Sequence, residues 1–130
     1  MRRVLIVEDV KAMQELLSEM LVGIPGVEIS GKAGTGPEAR LELDRRCPDL
    51  VLLDEVLPGE SSLDLLDFIQ SRKIPVILVT GMSEGIGRPL PQGASLRLRK
   101  PSWNTLGADQ VRFADALRKV GAEIPVAQRE

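Results

Sequence analysis

The chain has 130 residues, 43% apolar and 28% charged, with a formal net charge of −2. That is the size and composition of one globular domain with a real core, and its charge gives no global attraction to nucleic acid. It contains no histidine and one cysteine, Cys47, which excludes imidazole catalysis, imidazole metal ligation and an internal disulfide. No apolar stretch approaches the roughly 18 residues of a membrane span. Met1-Arg2-Arg3 leads directly into a strand without the longer apolar segment of a signal peptide, so a cytoplasmic protein is expected. Cys47, before Pro48 at a helix end, reads as a small half-buried residue.

A first strand is expected over about Arg3 to Glu8, where Val4-Leu5-Ile6-Val7 runs into Glu8-Asp9. Met13, Leu16, Leu17, Met20 and Leu21 then recur at i, i+3, i+4, i+7 and i+8, the core stripe of a first helix, and Ile24-Pro25-Gly26 stops it. The second strand is about Val27 to Gly31. Gly34-Thr35-Gly36-Pro37 is a loop, with Pro37 suited to the first turn of a second helix that runs to about Arg46. The third strand, Leu50 to Asp54, is followed by a turn at Pro58-Gly59. Ser61 or Ser62 caps a third helix that carries Leu63, Leu65, Leu66, Phe68 and Ile69. The fourth strand is Ile74 to Thr80.

Gly85, Gly87, Pro89 and Pro91 then recur at every second position. Each glycine costs about 1 kcal/mol in a helix interior and each proline about 3, so a fourth helix is expected to be short or irregular. A fifth strand spans about Ser95 to Arg99. A last helix covers about Thr105 to Val120, with Val111, Ala114, Leu117 and Val120 assigned to one face, and Ile124 to Glu130 reads as a tail or the start of a linker. Short Val/Ile/Leu runs alternating with helices imply an α/β fold, a doubly wound parallel sheet of five strands.

The ends of those strands carry the chemistry. In an open parallel sheet, ligands bind beyond the carboxyl ends of the strands. Glu8, Asp9, Asp54, Thr80 and Lys100 are therefore expected at one edge. Taken singly, Asp9 is a helix N-cap, Asp54 a strand-end acid, Thr80 a β-branched strand residue and Lys100 a solvated charge. In order at successive strand ends, they make a site. Gly31-Lys32-Ala33-Gly34-Thr35-Gly36 does not match a dinucleotide fingerprint and reads as a plain loop. Arg88, Arg97 and Arg99 lack any accompanying nucleic-acid fold signature, so protein contact or solvation is expected.

Those residues resemble the receiver domain of a two-component response regulator over residues 1–121, with 122–130 as the tail. Glu8-Asp9 resembles the family's acidic pair, and Asp54 in Asp54-Glu55-Val56-Leu57-Pro58-Gly59 resembles the phosphoacceptor with its following proline. Thr80 resembles the switch hydroxyl, and Lys100-Pro101 the family's lysine and cis-proline. The resemblance implies a flavodoxin-like strand order 2-1-3-4-5 and a Mg²⁺ site, with Asp9 and Asp54 as direct ligands, Glu8 through water, and the Val56 backbone carbonyl. It implies Asp54 as nucleophile towards a phosphohistidine of a histidine kinase or phosphotransfer protein, with Mg²⁺ and Lys100 offsetting charge in the transfer. Thr80 would then hydrogen-bond the new phosphoryl group and bias the loop that follows. The implied protein is a switch module rather than an enzyme. Its output partner is not named by the sequence, no nucleic acid or membrane contact is expected of this domain, and a homodimer is left open.

Two other readings stand beside this one: a degenerate receiver used as a fixed interaction or dimerisation module, and the regulatory part of a larger enzyme. Ile24-Pro25-Gly26-Val27-Glu28 and Lys100-Pro101-Ser102 resemble the receiver of a chemotaxis protein-glutamate methylesterase. Two positions depart from the receiver pattern. Ser62 stands where many relatives have glycine, and Arg97 stands where an aromatic is usual. Burying a guanidinium without a partner is expensive, so Arg97 is expected to pair with an acid on a partner protein.

Overall fold

The computed structural model describes residues 2–59, 61–81 and 88–122. Five parallel strands, β1 (Arg2–Val7), β2 (Val27–Ala33), β3 (Leu50–Asp54), β4 (Val76–Thr80) and β5 (Leu96–Arg99), form one sheet in the order β2-β1-β3-β4-β5. This is the expected flavodoxin-like order. All residues of β3 and β4 are buried, as strands covered on both faces must be.

Period-2 alternation sorts the strand residues into two cores. Val4, Ile6, Leu50, Leu52, Ile77 and Val79 face α1 (Lys11–Val22) and α4 (Leu106–Ala122), meeting Leu17, Met20, Leu21, Phe113 and Leu117. Leu5, Val7, Val51, Leu53, Val76 and Leu78 face α2 (Gly36–Arg46) and α3 (Ser62–Ser71), meeting Ala39, Leu43, Leu65, Leu66 and Ile69. Each fully buried Leu or Ile contributes roughly 1.5–3 kcal/mol, so the sheet is held from both sides. The β1–β2 register shifts between Val4 and Leu5, a bulge at Ser30.

Helix ends follow their local chemistry. The Thr35 hydroxyl accepts the Glu38 N–H at 3.2 Å while the Glu38 carboxylate accepts the Gly34 N–H at 3.1 Å, a reciprocal cap on α2. The Gly34-Thr35-Gly36 stretch is thus a capping loop. Ser61 caps α3 by accepting the Leu63 N–H at 3.2 Å. Its neighbour Ser62 turns the other way and donates to the Glu55 carbonyl at 2.9 Å. A 3₁₀ turn, Trp103–Thr105, leads into α4. There Asp109 accepts from the Ser102 N–H, the Thr105 hydroxyl and Arg112, at 3.0, 2.7 and 2.9 Å. Burial acts against the Asp109 carboxylate, but these three donors outweigh it and hold its pKa below the usual value.

Several expectations need correction. Val111 is 64% exposed and Phe113 is fully buried, so the core stripe of α4 is Phe113, Ala116, Leu117 and Val120. Val111 and Val120 are nine residues apart, about two and a half helical turns, and so lie on opposite faces. Leu63 on α3 is likewise exposed, while Leu65, Leu66 and Ile69 are buried. Cys47 is exposed rather than half-buried, because it takes the left-handed conformation (φ 43°) that ends α2. No peptide bond among the described residues is cis, so the Lys100–Pro101 bond is trans. The X–Pro bond prefers trans by only about 0.5–1 kcal/mol, and nothing local in the sequence decides between the isomers. Of the connection between β4 and β5, Gly85 and Gly87 lie outside the described residues, and residues 88–95 form no helix. The expected tail from Ile124 to Glu130 also lies outside them.

Candidate functional site

Because β1 and β3 are sheet neighbours, their carboxyl ends deliver Glu8, Asp9 and Asp54 to one crevice. Carboxylate oxygens of the three residues lie within 4.8 Å of one another. Glu8 and Asp54 are buried and Asp9 is exposed. The N-cap of α1 is Val10, with no side-chain cap bond, so Asp9 is not spent on capping. A cavity of about 430 Å³ opens beside it, lined by Asp9, Asp54, Val56, Pro58, Thr80, Gly81 and Lys100.

Lys100 reaches over from the end of β5. Its Nζ lies 2.8 Å from Glu8 Oε1 and 3.4 Å from Asp54 Oδ2. Glu8 Oε1 has no aligned hydrogen bond, so that contact is charge pairing rather than directed donation. The Lys100 backbone N–H donates to the Thr80 carbonyl at 2.8 Å, which fixes the two strand ends side by side. Glu8 Oε2 accepts the Val10 N–H at 3.0 Å, and Asp54 Oδ1 accepts the Val56 N–H at 3.0 Å. Thus all five polar residues expected at the strand ends do converge.

The electrostatics are those of crowded carboxylates. Burial, and then the negative charge of Glu8, push the Asp54 carboxyl up to about 6, against the Val56 N–H and Lys100, which pull it down. Burial works against the Lys100 ammonium, but its pairing with Glu8 and Asp54 wins and its pKa is raised. One cation facing three acids leaves excess negative charge in a pocket open to water. An all-oxygen donor set of this kind suits a hard divalent cation that keeps several waters.

Beside the pocket lies a contact that sequence reasoning missed. Arg97 is only 5% exposed, and its partner is inside the chain: Nε donates to Glu55 Oε1 at 3.0 Å and Nη2 to Glu55 Oε2 at 2.8 Å. The expectation of an acid on a partner protein is therefore overturned. The signal available was Glu55 itself, an acid at the carboxyl end of β3 facing a cation two strands away.

A parallel sheet in this order, with acids beyond β1 and β3, a hydroxyl beyond β4 and a lysine beyond β5, defines a receiver. The chain belongs to the response regulator receiver domain family, which matches residues 4–108. Phosphorylation on an aspartate is a general property of that family. Among curated relatives, protein-glutamate methylesterase/protein-glutamine glutaminase 1 of Caulobacter vibrioides is 33% identical over 132 residues, covering 98% of this chain and 37% of the relative. The chain spans between 23% and 39% of the length of the methylesterases it resembles. The response regulator domain of Thermotoga maritima CheB superposes with a TM-score of 0.79 at 21% identity, covering 95% of this chain and 98% of that one. TrrA of T. maritima, solved with Mg²⁺-BeF, gives 0.68 at 31% identity, covering 88% and 99%. CheY6 of R. sphaeroides, solved with the P1 domain of CheA3, gives 0.78 at 23% identity, covering 93% and 97%. No helix among the described residues is long and apolar enough to cross a membrane.

Proposed function

We propose that Asp54 is the phosphoacceptor of this receiver and that Mg²⁺ is its cofactor, held by Asp9, Asp54 and the Val56 carbonyl, with Glu8 acting through water. The observation that carries this reading is the convergence of Asp54, Glu8 and Asp9 with Lys100 at the mouth of one open pocket. When bound, the cation offsets the charge that three carboxylates and a phosphoryl group accumulate together. The ionised Asp54 carboxylate attacks the phosphorus of a phosphohistidine. The P–N bond breaks, its electron pair leaves with the donor imidazole, and that nitrogen takes a proton from solvent. Lys100 stays close enough to neutralise charge on the transferring oxygens, and the fixed Val56 N–H holds the acceptor's orientation. Thr80 lies across the same pocket and donates its hydroxyl to the new phosphoryl group.

In this reading the donor is a histidine kinase or a phosphotransfer domain in the cytoplasm, residues 1–121 form the receiver unit, and the chain is an acceptor rather than an enzyme. Its likeness to the methylesterase receivers favours a regulatory role alongside an esterase domain. Incubation with Mg²⁺ and a small acyl phosphate, followed by intact mass, tests it. One phosphoryl adduct is expected on wild type and none on Asp54→Ala. No adduct on wild type would support the phosphorylation-independent interaction module instead, and an adduct that survives Asp54→Ala would place the modification on another residue and overturn the role given to Asp54.

A further inference from the structure

A guanidinium that is 5% exposed on the outermost strand of a sheet needs an account. Leu96 and Leu98 turn to the α1–α4 core, which places Arg97 on the opposite face of β5, where residues 88–95 supply no covering helix. Arg97 is held there by two sets of contacts. Its fork grips both oxygens of Glu55, a bidentate arrangement that fixes the plane of the guanidinium. Its remaining N–H groups donate to the Arg88 carbonyl at 2.7 Å and the Pro89 carbonyl at 3.4 Å. Arg88 adds its own guanidinium 3.6 Å from Glu55 Oε2.

Glu55 is not an arbitrary anchor. It is bonded directly to Asp54, its N–H donates to the Val79 carbonyl at 3.0 Å, and its carbonyl accepts the Ser62 hydroxyl at 2.9 Å. With its backbone pinned on both sides, only its side chain reaches outward, and it reaches Arg97. A continuous path of covalent bonds and charge-assisted hydrogen bonds therefore runs from Asp54 through Glu55 and Arg97 to the carbonyls of Arg88 and Pro89.

We propose that the Glu55–Arg97 fork is a positioning link that couples the state of Asp54 to the segment entering β5, residues 88–95. This inference rests on Asp54 being the phosphoacceptor. Charge added to Asp54 acts on the adjoining Glu55 and on the two cations that share it, and the guanidinium passes the change to the carbonyls it holds. Thermodynamic linkage makes the effect reciprocal: whatever binds residues 88–95 also alters the energetics of Asp54 modification.

Hydrogen exchange of peptides covering residues 88–95 tests the link in two arms on the full chain. In unmodified protein, Glu55→Gln and Arg97→Gln are each expected to speed exchange there by about ten-fold, and the double variant to do no more than either single one. Additive effects, or none, would overturn the proposal. In the second arm, exchange is compared before and after phosphorylation, with intact mass confirming the adduct. Wild type is expected to change over 88–95, and Arg97→Gln to carry the adduct without that change. An unchanged response in Arg97→Gln would overturn the coupling. A wild type that takes no adduct would instead overturn the phosphoacceptor reading, leaving the first arm to decide the link. Should Arg97→Gln fail to fold, Arg97→Lys keeps the charge but loses the fork, and the same loss of response is expected.

Discussion

Replacing Asp54 with Asn removes a carboxylate that the folded chain holds under strain of charge, and metal-free protein is expected to become more stable. The Asp54 carboxyl rises from 3.8 in an ordinary setting to about 6 in the fold, through burial and the neighbouring Glu8. Between those values the native state binds more protons than the unfolded chain, so wild-type stability falls as pH rises from about 4 to 6 and then levels off. The shift corresponds to about 3 kcal/mol at neutral pH. The pocket opens to water, so ~1–2 kcal/mol is the usable figure. Asn keeps the acceptor for the Val56 N–H, and Lys100 keeps Glu8 at 2.8 Å, so little else is lost. Urea unfolding of both proteins in chelator at pH 7.5 and pH 4.5 measures the difference. Asn is expected to be the more stable at pH 7.5 and to lose most of that advantage at pH 4.5. An Asn variant no more stable than wild type at pH 7.5, or equally advantaged at both pH values, would refute the electrostatic account. Adding Mg²⁺ is expected to recover stability in wild type and much less in the variant.

Lys100→Met leaves Glu8, which is 1% exposed, with the Val10 N–H but no cation, and a cost on the order of 3 kcal/mol is expected at pH 7.5 by denaturant titration. Asp54, whose carboxyl is already pushed up to about 6, loses the same cation, so the penalty is expected to shrink as pH falls through that range. Phe113→Ala opens a cavity beneath the sheet and is expected to cost about 3–5 kcal/mol, whereas Val111→Ala on the same helix stays within about 0.5 kcal/mol. Similar losses from the two would contradict the assigned face of α4.

What proved legible in the sequence was whatever repeats at short range. Runs such as Val4 to Val7 and Leu50 to Leu53 need no partner to be recognised as buried strands, and once their order is known their polar ends must converge. Boundaries were less so: β4 begins at Val76, two residues later than expected, because Pro75 has no N–H to give the ladder. Phe113 was hidden because a single aromatic adds little to an apolar count, yet it fills the centre of the α1–α4 core. The Glu55–Arg97 pair joins residues 42 positions apart, and no periodicity marks such a contact. Burial of Arg97 looked prohibitive only while its counter-charge was unassigned.

Strand β5 also closes the sheet on one side, and an outermost strand is where a second chain would add by backbone pairing. Here the alternation Leu96-Arg97-Leu98-Arg99 sets a cation at every second position, and Arg112 Nη2 occupies the Arg99 carbonyl at 2.9 Å. An incoming strand would have to strip a guanidinium from that carbonyl and run alongside the exposed Arg99. Growth of this sheet into larger aggregates is therefore disfavoured at β5.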